Sequence, residues 1–131
     1  MGQTLEQKRA AHALKKVKSI TKTHDGMYVS YVSSFPAKIV MNGLGQALVM
    51  QLAQANGDLT NSHLLLHDHV AEWLSEQIIQ LKGPKEDVIQ KLMTKDQQVY
   101  LRAQAEAMAY VNWLKQFARA YLKEKKEDAN G

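Results

Sequence analysis

The chain has 131 residues, 17 Lys and Arg against 13 Asp and Glu, a formal net charge of +4, 45% hydrophobic and 23% charged residues, and no cysteine. That length suits one domain with one core, the composition is that of a globular chain, and the missing cysteines exclude disulfides and thiolate metal sites and point to a reducing compartment. The opening Met1-Gly2-Gln3-Thr4-Leu5-Glu6 lacks the apolar core of a leader, and no apolar run nears the ~20 residues of a bilayer span, so a cytoplasmic location is expected.

Thr4-Leu5-Glu6-Gln7 has the form of a capping box, in which a hydroxyl and an amide satisfy unpaired backbone donors at a helix start. The spacing predicts a first helix from Leu5 to Lys22, with Ala10, Ala13, Leu14, Val17 and Ile20 in a buried stripe. Lys8, His12, Lys15, Ser19 and Lys22 fall on the opposite side, flanked by Arg9, Lys16 and Lys18. Thr23-His24-Asp25-Gly26 reads as a turn. A short helix over Tyr28–Val32 follows, since an isolated strand would have no partner. Ser34-Phe35-Pro36 marks a boundary, because the residue before a proline avoids helical angles, and a long apolar helix from Pro36 to Ala55 is expected beyond it.

Asn56-Gly57-Asp58 closes that helix, and Thr60, Asn61 and Ser62 are candidate caps for the next, Ser62 to Leu81, which turns Leu65, Leu66, Val70, Trp73, Leu74 and Ile78 inward. Gly83-Pro84 breaks it, and a short helix from Pro84 to Met93 leads to a second possible capping box at Thr94-Lys95-Asp96-Gln97. The last helix, from near Asp96 to past Leu122, has an apolar face of Tyr100, Ala103, Ala107, Tyr110, Leu114, Phe117 and Tyr121. Lys115, Arg119, Lys123 and Lys126 lie on its far side, and residues 125–131 read as a frayed polar tail. The whole is an all-α, single-domain bundle of about five to six helices spanning residues 1–131.

Little here suits catalysis. His63 and His67 are one turn apart, but Leu64 stands where a helical zinc-protease motif needs Glu, and His69 points elsewhere, so solvated or core-satisfied histidines are expected and no metal or cofactor. Asn42-Gly43-Leu44-Gly45 has neither a preceding strand nor a following Gly-Lys-Ser/Thr, which favours glycines that admit a neighbouring helix over a phosphate loop. Glu106, in an alanine-rich stretch, suits a structural hydrogen bond or an exposed position better than general acid chemistry.

The basic stripes are more informative. Lys8 to Lys22 contains no acid, and neither does Lys115 to Lys123, whereas a solvated face usually mixes signs. Two readings stand: solvated helix faces, or contact with an anionic partner through its backbone, since no aromatic residues interleave as stacking platforms. Membrane-surface binding and a basic nucleic-acid-binding protein outside any larger complex are the rival forms of the second reading.

Specific strings then narrow the choice. Thr4-Leu5-Glu6-Gln7-Lys8-Arg9-Ala10, Ser34-Phe35-Pro36-Ala37-Lys38-Ile39 and Met41-Asn42-Gly43-Leu44-Gly45-Gln46-Ala47-Leu48 occur in that order. They precede a late block of Asp96-Gln97-Gln98, Tyr100, Arg102, Ala105-Glu106-Ala107, Asn112-Trp113-Leu114-Lys115 and Phe117-Ala118-Arg119. Together these resemble the small helical subunit of the type III-B CRISPR effector, the Cmr (RAMP module) RNA-silencing complex. The resemblance implies a compact all-α protein of antiviral defence without nuclease activity, several copies of which stack beside the backbone subunits that carry the CRISPR RNA. It further implies other Cmr subunits, neighbouring copies of itself and the CRISPR RNA–target RNA duplex as partners, and no membrane. On that reading Lys8, Arg9, Lys15, Lys16, Lys115, Arg119 and Lys123 are the candidate RNA-binding residues.

Overall fold

The computed structural model describes residues 2–21 and 26–122, and within them the chain forms six α-helices and two 3-10 turns, with no strand. Lys22, the turn residues 23–25, Lys123, Lys126 and the tail lie outside the described residues. The first helix, α1, runs Leu5–Lys18 and opens on the expected capping box: Gln7 N–H donates to Thr4 Oγ1 at 3.1 Å and Thr4 N–H to Gln7 Oε1 at 2.9 Å. It ends before Lys22, because the Ser19 hydroxyl turns back to Lys16 O at 2.6 Å and Ile20 N–H closes a tighter turn onto Val17 O.

The boundary expected at Pro36 is absent. Tyr28–Asn42 form one helix, α2, which buries Tyr28, Val29, Val32, Phe35 and Ile39 at helical spacing. Pro36 lies inside it and cannot donate a hydrogen bond to Val32 O, a loss that burial of this stripe outweighs. The break comes instead at Gly43, whose φ of +81° and ψ of 159° separate α2 from α3, Leu44–Ala55. A helix that starts abruptly leaves backbone donors unpaired. Here Leu44 N–H is taken by Gln104 Oε1 at 3.0 Å and Gly45 N–H by Tyr100 Oη at 2.9 Å. Gly45 eases that approach, since a Cβ there would crowd the Tyr100 hydroxyl at 3.3 Å and push aside the exposed end of Met93. The two glycines serve packing, not a phosphate loop.

Asn56, in the left-handed region at φ 50°, ends α3, and Asn61 Oδ1 caps α4, Ser62–Gln77, by accepting from His63 N–H at 2.7 Å. The helix expected to reach Leu81 stops at Gln77, and a 3-10 turn over Ile79–Leu81 carries Leu81 into the core. A second 3-10 turn over Lys85–Asp87 precedes α5, Val88–Thr94, so the segment after Pro84 is only partly α-helical. The last helix, α6, runs Gln97–Tyr121, with Asp96 as cap, accepting from Val99 N–H at 3.0 Å; the capping box considered at Thr94 does not form.

Every α-helix contributes to one apolar cluster, from Ala13 and Val17 of α1 through Leu44, Leu48, Leu66, Leu74 and Leu92 to Tyr110 and Leu114 of α6. Helix α6 touches all the others and packs most closely on α1 and α2. Arg9 meets Glu106, His12 meets Tyr110 and Lys18 lies over the Tyr121 ring, so α1 and α6 run side by side in the same direction. No helix among the described residues is long and apolar enough to cross a membrane.

Candidate nucleic-acid interface

The cations of α1 divide into two rows. Lys8 and Lys15 are exposed and have no ion-pair partner among the described residues. Arg9, His12 and Lys16, spaced three and four apart, face inward onto α4 and α6. The sequence places His12 among the solvated positions, but its side chain is only 12% exposed, packed against the stacked rings of Trp73 and Tyr110 at centroid distances of 5.1 and 5.3 Å. Its neighbours Ala13 and Val17 are fully buried, so the stripe buried by α1 is wider than its apolar residues alone.

Arg9 grips the Glu106 carboxylate with one edge of its guanidinium, Nε to Oε2 at 2.5 Å and Nη2 to Oε1 at 2.8 Å, and its Nη1 reaches Glu6 at 3.0 Å. Trp73 Nε1–H donates to the same Glu106 Oε2 at 3.0 Å. Burial works to raise the pKa of Glu106, but the hydrogen bonds from Arg9 and Trp73 and the charges of Arg9 and Arg102 hold it below the ordinary carboxylate value. The Glu106 hydrogen bond correspondingly raises the pKa of Arg9. Glu106 is thus a structural anion. Lys16 binds Glu72 Oε2 at 2.6 Å. Burial lowers the pKa of His12, against the charge of Glu72 and with those of Lys16 and Lys15.

On α6, Lys115 is partly exposed and Arg119 exposed, and neither has an ion-pair partner among the described residues. The common direction of α1 and α6 brings the turn of Lys15 beside the second half of α6, where these two cations stand. Of the candidate RNA-binding residues, Lys8, Lys15, Lys115 and Arg119 therefore have no acidic partner among the described residues, and Arg9 and Lys16 are engaged by carboxylates from other helices. Lys123 lies outside the described residues. The stripe of α1 is acid-free in sequence and yet not in space.

The histidines of α4 do not converge on a common point. His63 Nδ1 lies 2.7 Å from Gln51 Oε1 with its ring stacked on Tyr31, His67 Nδ1 is 2.9 Å from Asp68, and His69 Nδ1 is 2.7 Å from the Tyr28 hydroxyl. Each is buried and individually satisfied. Sequence reasoning overlooked a different group, His12 with Glu72 and Glu76. The one local signal for it was the i, i+4 spacing of the two glutamates.

The family model for CRISPR-associated protein (Cas_Cmr5) matches residues 5–121. The X-ray crystal structure of a CRISPR-associated Cmr5 family protein from Thermus thermophilus superposes with a TM-score of 0.68 at 23% identity, over 93% of this chain and 100% of that one, a likeness that shows the fold. With the family pattern spanning all six helices, from the first residue of α1 to the last of α6, the chain belongs to the Cmr5 family of CRISPR-associated proteins.

Proposed function

We propose that the protein is the non-catalytic small subunit of a type III-B CRISPR (Cmr) ribonucleoprotein effector, a single helical domain that works in the cytoplasm. It stacks beside the backbone subunits and neighbouring copies of itself and lines the basic channel that holds target RNA. Family membership supports the assembly. The observation that carries the RNA contact is the division of the basic residues: Arg9 and Lys16 are consumed by Glu106 and Glu72, whereas Lys8, Lys15, Lys115 and Arg119 have no acidic partner among the described residues and stand on two adjacent helices. Lys123 continues the four-residue spacing of Lys115 and Arg119 in the sequence and is assigned to the same contact. Adjacent apolar side chains at the end of α2, Val40 and Met41, are 74% and 81% exposed and supply a surface that a neighbouring subunit would cover.

Phosphate contacts of this kind are blind to sequence and sensitive to salt. If four phosphates are neutralised per copy, affinity for target RNA falls roughly fiftyfold between about 50 and 200 mM salt, at a single-strand slope of about 0.7 per contact. The test is a reconstituted complex carrying Lys8→Glu/Lys15→Glu or Lys115→Glu/Arg119→Glu subunits, with target-RNA affinity measured across salt. Weaker binding with a shallower slope supports the reading. An intact complex with unchanged affinity and slope would leave the subunit a purely architectural role.

A further inference from the structure

The inner row of α1 contains one group with nothing to bind. His12 is fixed through Nδ1, 2.5 Å from the Tyr110 hydroxyl, and held edge-on by that ring. Its Nε2 is buried and makes no hydrogen bond among the described residues; the carboxylate oxygen Glu76 Oε2 lies 3.5 Å away. A buried ring nitrogen left without a partner in a well-packed helical protein calls for an explanation. Glu72 and Glu76 stand one turn apart on α4, and a ligand atom from each of them and from His12 all lie within 4.8 Å of one another. Among the described residues no other group of three such side chains meets that condition.

Two carboxylates face this point and one ammonium, that of Lys16, answers them through Glu72 Oε2 at 2.6 Å. Glu76 has no Lys or Arg partner among the described residues, and it stands beside a nitrogen that has no hydrogen bond there. We propose that His12, Glu72 and Glu76 form a binding site for one divalent transition-metal ion at the seam between α1 and α4.

The geometry suits tetrahedral coordination. Bonds of about 2.1 Å to nitrogen and oxygen set neighbouring ligand atoms about 3.4 Å apart, and the His12 Nε2 to Glu76 Oε2 distance is already 3.5 Å. When the Tyr110 hydroxyl accepts from Nδ1–H, Nε2 keeps its lone pair directed at the glutamates, the arrangement in which an outer hydrogen bond fixes the tautomer of a metal-binding histidine. One imidazole and two carboxylates exclude a soft-metal thiolate site and suit zinc, with cobalt, nickel or manganese as substitutes. Glu76 is 55% exposed, which leaves a path for the ion and a fourth position open to water. Lys16 would keep one oxygen of Glu72 while the other turns to the metal.

The probe is zinc chloride titrated into the full chain, stripped beforehand with chelator and followed by calorimetry and thermal melting, with cobalt absorption reporting coordination geometry. The expected result is one ion per chain, a raised melting temperature and the intense visible bands of tetrahedral cobalt. Glu76→Gln is the decisive variant, because its exposed position leaves the fold intact by circular dichroism. It should weaken zinc binding by at least about tenfold and abolish the cobalt bands. No zinc uptake by the wild-type chain would overturn the site, and so would uptake that Glu76→Gln leaves unchanged, since the ion would then be held elsewhere.

Discussion

Lys8 and Arg9 are sequence neighbours of the same charge, yet one is an exposed cation without an acidic partner among the described residues and the other is the bidentate partner of a buried carboxylate. The same split recurs at Lys15 and Lys16, one helical repeat later. A rotation of about 100° about the axis of α1 therefore separates charge that holds the bundle together from charge that is available to a partner. A run of basic residues is not one surface: only the members that another helix leaves unneutralised can bind an external anion, and the acids that decide this lie on α4 and α6.

The largest expected effect breaks the inner row. Arg9→Ala leaves Glu106, only 10% exposed, with Trp73 as its remaining donor, and should cost about 2–4 kcal/mol in urea unfolding at neutral pH. A cost no greater than that of Lys8→Ala would erase the distinction between the rows.

Acid sharpens the same comparison. In the wild type the pKa of Glu106 is held down, so its contribution is present above the unfolded glutamate value and is lost as pH falls from about 4.3 through the lower folded value. In Arg9→Ala only the Trp73 hydrogen bond and the charge of Arg102 still oppose burial, so the downward shift of Glu106 shrinks and less of the stability depends on its ionisation. Urea midpoints of the two proteins should therefore converge as pH is lowered from 7 toward about 4. A gap that stays constant over that range would mean that Glu106 is not the group Arg9 serves.

A smaller change is expected for Lys16→Ala. Its pair with Glu72 is partly exposed, at 22% and 32%, so solvent screening limits the loss to about 1 kcal/mol or less, and added salt should shrink it further. The smallest effect belongs to Lys8→Ala and Lys15→Ala, which should leave the unfolding midpoint where it is while weakening RNA binding by the assembled complex. A destabilised Lys15 variant would show that the outer row also has a structural duty.

Most of the helical architecture was legible because it is written locally. The Thr4 capping box, the stripe of Leu66, Val70, Trp73 and Leu74, and the long apolar face of α6 are all set by residues within a few turns of one another. The α2–α3 break was misplaced for a corresponding reason. Pro36 carries the stronger local signal, but Tyr100 and Gln104, far along the chain, supply the groups that let the helix break at Gly43 instead. The candidate interface was half legible: its cations could be named, but Arg9 finds Glu106 across 97 residues, and no local pattern announces such a partner. His12 was misassigned for the same reason, since helical periodicity sorts residues by polarity and a polar ring that packs edge-on against Tyr110 and tilted against Trp73 is sorted to the wrong side.

The corner at Gly43 also bears on the order of assembly during synthesis. Leu44 N–H and Gly45 N–H are satisfied by side chains of α6, which leaves the ribosome after the five other described α-helices. Until Tyr100 and Gln104 have emerged, α2 and α3 can each coil but their junction has no protein acceptor for these donors and only water to serve them. A nascent chain that stops before α6 is therefore expected to remain hinged at Gly43, and the arrival of the C-terminal helix closes the hinge. A late helix thus sets the angle between two earlier ones, and a chain cut short before Tyr100 would present an open corner to the quality-control machinery.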